Sequence, residues 1–372
     1  MLKKIHIQGF KSIKDAEIEL SQLTVLIGAN GAGKSNFISF FRFLQQSITG
    51  NLQNYIARSG GAEAILYYGL KATKEMSVTL TFKGSSYDAR FEVTTDGSLF
   101  FTKEGAHGFT TCYKQPWDIS LLGSRSNRLE SGIDDDIKKF RENFKKEGIT
   151  EEVKKNLSSW RVYHFHDTSD SSAMKQPVAI NDNAFLHFNA GNIASFLFLL
   201  QQTEKNYYDN IVRSVRLAAP FFDNFILRKD PFGSETIRLE WKEIGSEKIF
   251  PASALSDGTL RFICLSTLLL QPSKLMPSII IIDEPELGLH PYAITLLAGL
   301  LKKASSEKQV IVSTQSVPLV NQFLPEDLLV VAKQSSATVF NRLDISELTQ
   351  WLNEYALGDL WEKNIIGGRP SK

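Results

Sequence analysis

The chain has 372 residues, 42% of them apolar, which is enough for one large domain or two ordinary ones with a sizeable core. Its 42 basic and 41 acidic residues leave a net charge of +1, excluding a globally basic nucleic-acid coat while leaving a local basic patch open. Ordinary usage of proline and glycine argues against a disordered or fibrous chain; the two distant cysteines, Cys112 and Cys264, argue against a disulfide framework or zinc site and for a reducing cytoplasm.

The first residues, MLKKIHIQGF, turn polar too soon for a signal peptide, and no run of ~18 apolar residues follows to span a membrane. A soluble cytoplasmic protein is therefore expected. Leu2 to Gly9 alternates apolar and polar residues, the pattern of an edge or half-buried strand, and Ala16 to Leu20 repeats it. Leu23 to Ile27 is nearly all apolar, as in a strand buried on both faces. A glycine-rich loop follows, then an apolar helix over about Lys34–Ile48. Short alternating runs between residues 62 and 103, separated by KGSS and TDGS, predict antiparallel hairpins. Ile133, Ile137, Phe140 and Phe144 have helical spacing, ended by Gly148; Thr150 can cap a second helix carrying Val153 and Leu157. That spacing is too brief for a long coiled coil. Another helical block is expected over Asn192–Ala219, then strands near Phe225–Arg228 and Thr236–Trp241. The last third alternates helix and strand: Thr259–Leu270, Ser278–Asp283, Tyr292–Ala304, Gln309–Ser313 and Leu328–Val331. That order predicts a parallel sheet flanked by helices.

Three stretches carry chemistry. Gly28-Ala29-Asn30-Gly31-Ala32-Gly33-Lys34-Ser35 fits GxxxxGK[ST], a loop whose backbone N–H groups curl around phosphates at a helix N-terminus. Gly28, Asn30, Gly31, Ala32, Gly33, Lys34, Ser35 and Asn36 are thus the expected ATP-binding residues. Lys34 would reach the β- and γ-phosphates, and the Ser35 hydroxyl would ligate Mg²⁺. In Ser278-Ile279-Ile280-Ile281-Ile282-Asp283-Glu284-Pro285, the isoleucines form a central strand with acids at its carboxyl end. Asp283 would hold Mg²⁺ through water, and Glu284 would orient or deprotonate the attacking water. Leu255-Ser256-Asp257-Gly258-Thr259 precedes an apolar helix between those two motifs. Ser256, Asp257 and Gly258 there resemble the LSGGQ signature of ABC-type ATPases, with Asp257 in place of the first glycine; Ser256 also reads as an ordinary helix cap.

Together with Gly9-Phe10-Lys11-Ser12, Tyr163-His164-Phe165-His166-Asp167-Thr168, LSDGTLRF at 255–262, DEPELGLHP at 283–291 and STQS at 313–316, these motifs resemble an ABC-class ATPase of prokaryotes. The group holds the RecF, OLD and structural-maintenance-of-chromosomes proteins. The resemblance implies an α/β fold: a P-loop NTPase of ABC/SMC-head type, with a mixed parallel sheet, an antiparallel β subdomain and a helical insert. It implies one head over residues 1–372, with a nucleotide-binding core at 1–50 and 250–335. The β subdomain would occupy 60–105, the insert 130–220 and a C-terminal tail 336–372. Two heads in such proteins sandwich two ATP molecules, each between one P-loop and the partner's signature, with Leu287 to Pro291 as the D-loop. A homodimer is therefore expected.

Two positions depart from the pattern. The switch position is Gln315, whose amide can hydrogen-bond the γ-phosphate or water but cannot take a proton. The Q-loop has no clear glutamine; His166 or Asp167 can substitute, while His164 and His166 can equally be packed or interfacial. The resemblance extends to a DNA-linked process such as repair or anti-phage defence. The resemblance also implies an effector; if that is a nuclease, a separate chain is expected, because the stretch after Gln315 is too short for the nuclease domain that OLD proteins append there. A transporter ATPase and a nucleotide-gated scaffold remain alternatives. Lys138, Lys139, Arg141, Lys145, Lys146, Lys154 and Lys155, interleaved with acids, read first as a solvated helix face and second as a DNA contact.

Overall fold

The structure is a computed structural model, and it describes residues 1–94, 97–108, 121–124, 153, 155–229 and 235–368. The helix expected at 133–148 and all of the basic cluster except Lys155 lie outside the described residues. Val153 and Leu157, from the next expected helix, are buried. No helix among the described residues is long and apolar enough to cross a membrane. The chain divides into two units: Met1–Trp160 with Leu329–Asp344 and Asn364–Lys372, and Arg161–Leu328 with Ile345–Lys363.

The first unit is built on β1 (Leu2–Phe10), β2 (Ile13–Glu19), β3 (Leu23–Ile27), β4 (Glu75–Phe82), β5 (Ser85–Val93), β6 (Leu99–Gly108) and β7 (Leu121–Ser124). Six of these form an antiparallel sheet in the order β2-β1-β4-β5-β6-β7. Alternation sets its inner face: Met76, Val78, Leu80 and Phe82 of β4 and Tyr87, Ala89 and Phe91 of β5 are buried. β1 is an interior strand rather than an edge, since Ile5 pairs with Ile18 on one side and Leu80 on the other. Alternation reports one buried face and is silent about lateral neighbours. Residues 2–19 therefore extend the antiparallel sheet, beyond the 60–105 boundary expected for it.

α1 (Lys34–Ile48) buries Phe37, Phe40, Phe41 and Phe43 together with Ile38, Leu44 and Ile48, a wider arc than a single contact face. Phe40 and Phe43 meet Phe10 of β1 at 5.5 and 5.7 Å between ring centres, and Phe43 meets Phe91 of β5 at 5.2 Å. Phe37 meets Phe340 at 5.1 Å, and Phe41 meets Trp160 at 5.4 Å. Phe340 belongs to the strand Ala337–Arg342, which pairs antiparallel with Leu328–Gln334; the latter lies between it and β3. The expected C-terminal tail thus contributes a strand to this unit.

In the second unit, Gln309–Thr314, Ile279–Asp283 and Arg161–Tyr163 run parallel in that order. Ile279 to Ile282 are buried on both faces, which accounts for the unbroken apolar run. The helix Asp257–Leu270 buries nearly every residue from Leu260 onward, and Pro291–Ser305 starts at a proline, which fits a first helical position. The block expected over Asn192–Ala219 is two helices, Ile193–Thr203 and Lys205–Ala218, parted where Glu204 leaves helical geometry at φ −137°. The single strand expected over Thr236–Trp241 is also two. Thr236–Ile237 pairs with Val178–Ala179, whereas Glu240–Glu243 pairs with Phe222–Ile226 and seats Trp241 against Phe222 and Phe250.

Because Phe43 joins α1 to the antiparallel sheet with its ring wholly buried, Phe43→Ala should cost about 3–5 kcal/mol of stability. Urea unfolding measures this, and a loss below about 1 kcal/mol would contradict the role given to that ring.

Candidate functional site

The P-loop links β3 to α1, and its glycines answer to neighbouring strands. A Cβ on Gly28 would stand 2.2 Å from the Val331 carbonyl oxygen. Gly33 has φ +115°, and a Cβ there would meet the Thr338 hydroxyl at 2.1 Å. Larger residues would push the loop off this support. Gly33 precedes α1 without a side-chain cap, and the first turn carries no acid, so the positive helix end is not neutralised from within. Lys34 is buried, and its Nζ donates to the carbonyls of Gly28 (2.5 Å) and Ala29 (3.1 Å). Ser35, Asn30 and Gly31 are exposed and Ala32 is buried. The cradle, the uncapped helix end and the ammonium suit a polyphosphate.

A polar brace supports this loop. Asn36 Nδ2 donates to Ser12 Oγ, which shares a 2.7 Å hydrogen bond with the Thr338 hydroxyl; that hydroxyl donates to the Ala32 carbonyl. The Thr338 amide returns a bond to the Ser12 carbonyl at 2.7 Å, and the Ala29 amide donates to the Gly368 carbonyl at 2.7 Å. Lys11, beside Ser12, has φ +46°, and its ammonium is held below the usual lysine range by burial and then by nearby Arg42. Thr338 and Gly368 went unnoticed in the sequence because nothing local marks a residue so distant as a wall of the loop.

In the second unit, Asp283 ends the isoleucine strand and Glu284 follows at φ +45°, a backbone region that non-glycine residues seldom occupy outside constrained sites. The Glu284 amide donates to the Ser313 carbonyl, and Gln315 Nε2 donates to Glu284 Oε1 at 2.5 Å. The structure therefore places Gln315 directly on Glu284. His166 Nε2 donates to the Asp283 carbonyl at 3.0 Å, whereas Asp167 accepts from the amide and hydroxyl of Ser169. Of the two Q-loop candidates, His166 touches the end of the acidic strand and Asp167 closes a local turn. The His164 and His166 rings lie 3.9 Å apart. Among the described residues no three His, Cys, Asp or Glu side chains gather for a metal ion.

Ser256 caps the helix Asp257–Leu270, accepting from the Thr259 amide at 3.2 Å. Ser256 and Asp257 are exposed. Gly258 lies so close to the 287–291 stretch that a Cβ would stand 2.4 Å from the Gly288 carbonyl. Arg261, one turn on, donates Nη1 to the Leu287 carbonyl (2.8 Å), Nη2 to that of His166 (2.9 Å) and Nε to that of Phe165 (3.2 Å). The LSDGTLRF, LGLHP and YHFHDT stretches are thereby tied together. Arg261 was visible in LSDGTLRF, but only the fold brings three carbonyls to one guanidinium. Glu286 was also missed as a functional residue, although DEPE displays it as a further acid after the strand.

Residues 23–321 match the family model described as "AAA domain, putative AbiEii toxin, Type IV TA system". No curated protein matches the chain in sequence. Among solved structures, an SMC head bound to the C-winged helix domain of ScpA is 16% identical, covering 94% of this chain and 99% of that one with a TM-score of 0.60. An SMC head with an extended coiled coil, from Pyrococcus furiosus and bound to the C-terminal domain of ScpA, is 18% identical. Its match covers 95% and 98% of the two chains with a TM-score of 0.56. The SMC head with a coiled coil and joint from Pyrococcus yayanosii is 14% identical over 95% and 99%, with a TM-score of 0.53. At such identities the likeness establishes the fold, that of an SMC-head P-loop ATPase domain with parallel and antiparallel sheets.

Charged hydrogen bonds contribute about 1.5–3 kcal/mol each, less whatever water restores. Arg261→Ala should therefore lower stability by about 2–4 kcal/mol, and Arg261→Lys should recover less than half, because one ammonium cannot reproduce the planar fork. Chemical denaturation of the three proteins checks this; an alanine variant within about 0.5 kcal/mol of the parent would contradict it.

Proposed function

The chain belongs to the AAA-domain family whose model it matches, and from that premise we propose that it binds ATP with Mg²⁺ and hydrolyses it to ADP and phosphate. The observation that carries this reading is the Gln315 amide seated on the Glu284 carboxylate at the end of a buried strand. An amide donor fixes that carboxylate without protonating it, leaving it able to act as a base. Water would attack the γ-phosphorus as the bond to the ADP oxygen breaks, with Glu284 taking the water's proton. Lys34 would neutralise the β- and γ-phosphates, and Gly28 to Asn36 would hold them through the loop and helix end. Ser35 directly and Asp283 through water would hold Mg²⁺, which supplies charge neutralisation at the phosphate oxygens.

The chain would act as an ATPase head, and two copies would close around two nucleotides. Support comes from the exposure of Ser256 and Asp257 and from the apolar side chains that Leu287 (45% exposed) and Tyr292 (53%) present along the D-loop stretch. In this arrangement Ser256 to Gly258 of one copy complete the site of the other. The family's description names a type IV toxin–antitoxin system, and SMC heads are found bound to ScpA. Both favour an ATPase whose engagement is read out by a second protein; a DNA-linked or defence process in the cytoplasm is part of the same proposal.

Lys34→Ala should abolish tight MgATP binding or turnover, measured with a fluorescent ATP analogue and by phosphate release; unchanged turnover would reject the P-loop role. Ser256→Arg should inactivate the chain as fully. In an equimolar mixture of the two variants, half the dimers hold one intact site, so about a quarter of the parent turnover should return. Full activity of Ser256→Arg alone, at all protein concentrations, would sink the shared site.

A further inference from the structure

Three residues past the last residue of the isoleucine strand, Glu286 is only 9% exposed, an unusual place for a carboxylate. Its Oε1 accepts from the Thr314 hydroxyl at 2.5 Å and from the Gln315 amide at 3.4 Å. The Thr314 hydroxyl in turn accepts from the Ser316 amide at 3.0 Å. One oxygen therefore organises the backbone turn leaving the strand Gln309–Thr314. The other, Oε2, is buried with no hydrogen-bond partner among the described residues. Burial pushes this carboxyl above the usual glutamate range, more strongly than the Thr314 hydrogen bond draws it down.

A half-satisfied buried carboxyl is poor stabilising material. Leaving a buried polar atom unpaired, as Oε2 is here, costs stability. The group makes sense where its geometry matters. Gln315, held through its backbone by Glu286, is the residue whose side chain grips Glu284. We propose that Glu286 is a positioning residue: its Oε1 fixes the Thr314–Ser316 turn so that the Gln315 amide is held against the Glu284 carboxylate. This rests on reading Glu284 as the base of ATP hydrolysis. Glu286 acts through the backbone of Gln315.

The test is phosphate release by the full chain and its variants, with melting temperature and MgATP affinity measured beside it. Glu286→Leu removes the acceptor; kcat should fall about 10–100-fold, the usual effect of losing a supporting partner, while KM changes little and melting drops only by what the orphaned Thr314 hydroxyl accounts for. Glu286→Gln keeps an acceptor oxygen and should stay within about threefold of the parent. In the double variant Glu286→Leu/Gln315→Ala, turnover should equal that of Gln315→Ala alone, because both changes break one linkage. A merely structural residue would multiply its effect in that cycle and lower melting in step with activity.

Parental kcat in Glu286→Leu, multiplying effects in the cycle, or a glutamine variant as slow as the leucine one would each overturn the role of Glu286 alone. If the parent releases no phosphate, hydrolysis itself is overturned, and this inference with it. Should Glu286→Leu fail to fold, Glu286→Ala carries the same cycle.

Discussion

In the proposed reaction, the hydrogen bond from Gln315 to Glu284 is the interaction on which the chemistry depends. It lies at the ends of two parallel strands, Ile279–Asp283 and Gln309–Thr314, which are buried along their length except at Asp283, which is half-buried. Glu284 occupies a left-handed backbone conformation, which costs of order 1–3 kcal/mol and persists only where surroundings enforce it. The enforcement is visible: its amide is bound by the Ser313 carbonyl and its carboxylate by Gln315. A histidine at position 315 could exchange a proton with Glu284, whereas an amide cannot.

A comparable economy governs the first unit. The P-loop takes its shape from contacts with residues more than three hundred positions later: Val331 excludes any side chain at 28, and Thr338 excludes one at 33. Thr338 then uses its hydroxyl to hold Ala32 and Ser12. α1 cannot shift to relieve such contacts, because its phenylalanines are locked against the antiparallel sheet on one side and Phe340 on another. Loop geometry and helix packing are thus one constraint. It presents the N-terminal end of α1 and its glycine loop as a rigid anion cradle.

Features fixed by local chemistry were legible in the sequence. The loop from Gly28 to Gly33, the isoleucine strand and the cap at Ser256 each depend on residues within one turn or one strand of one another. What escaped depends on distant partners. The alternation of Leu2–Phe10 could not reveal that both its edges are paired, and nothing in residues 236–241 says that the two halves join different sheets. Arg261, Thr338 and Glu286 act on backbone carbonyls, hydroxyls and amides, which every residue or many residues carry, so no motif announces them. The break at Glu204 lacks the glycine or proline that would have marked it.

The claim at the centre of this account is that Glu284, held by Gln315, takes the proton from the attacking water. Steady-state phosphate release by Glu284→Gln tests it most directly, with MgATP affinity measured on the same preparation. The substitution keeps the size of the side chain and removes its basicity, which typically contributes about 10²–10⁴-fold. The account predicts a fall of that size with affinity retained and, by light scattering, an ATP-bound dimer that persists. Turnover equal to that of the unaltered chain would contradict it.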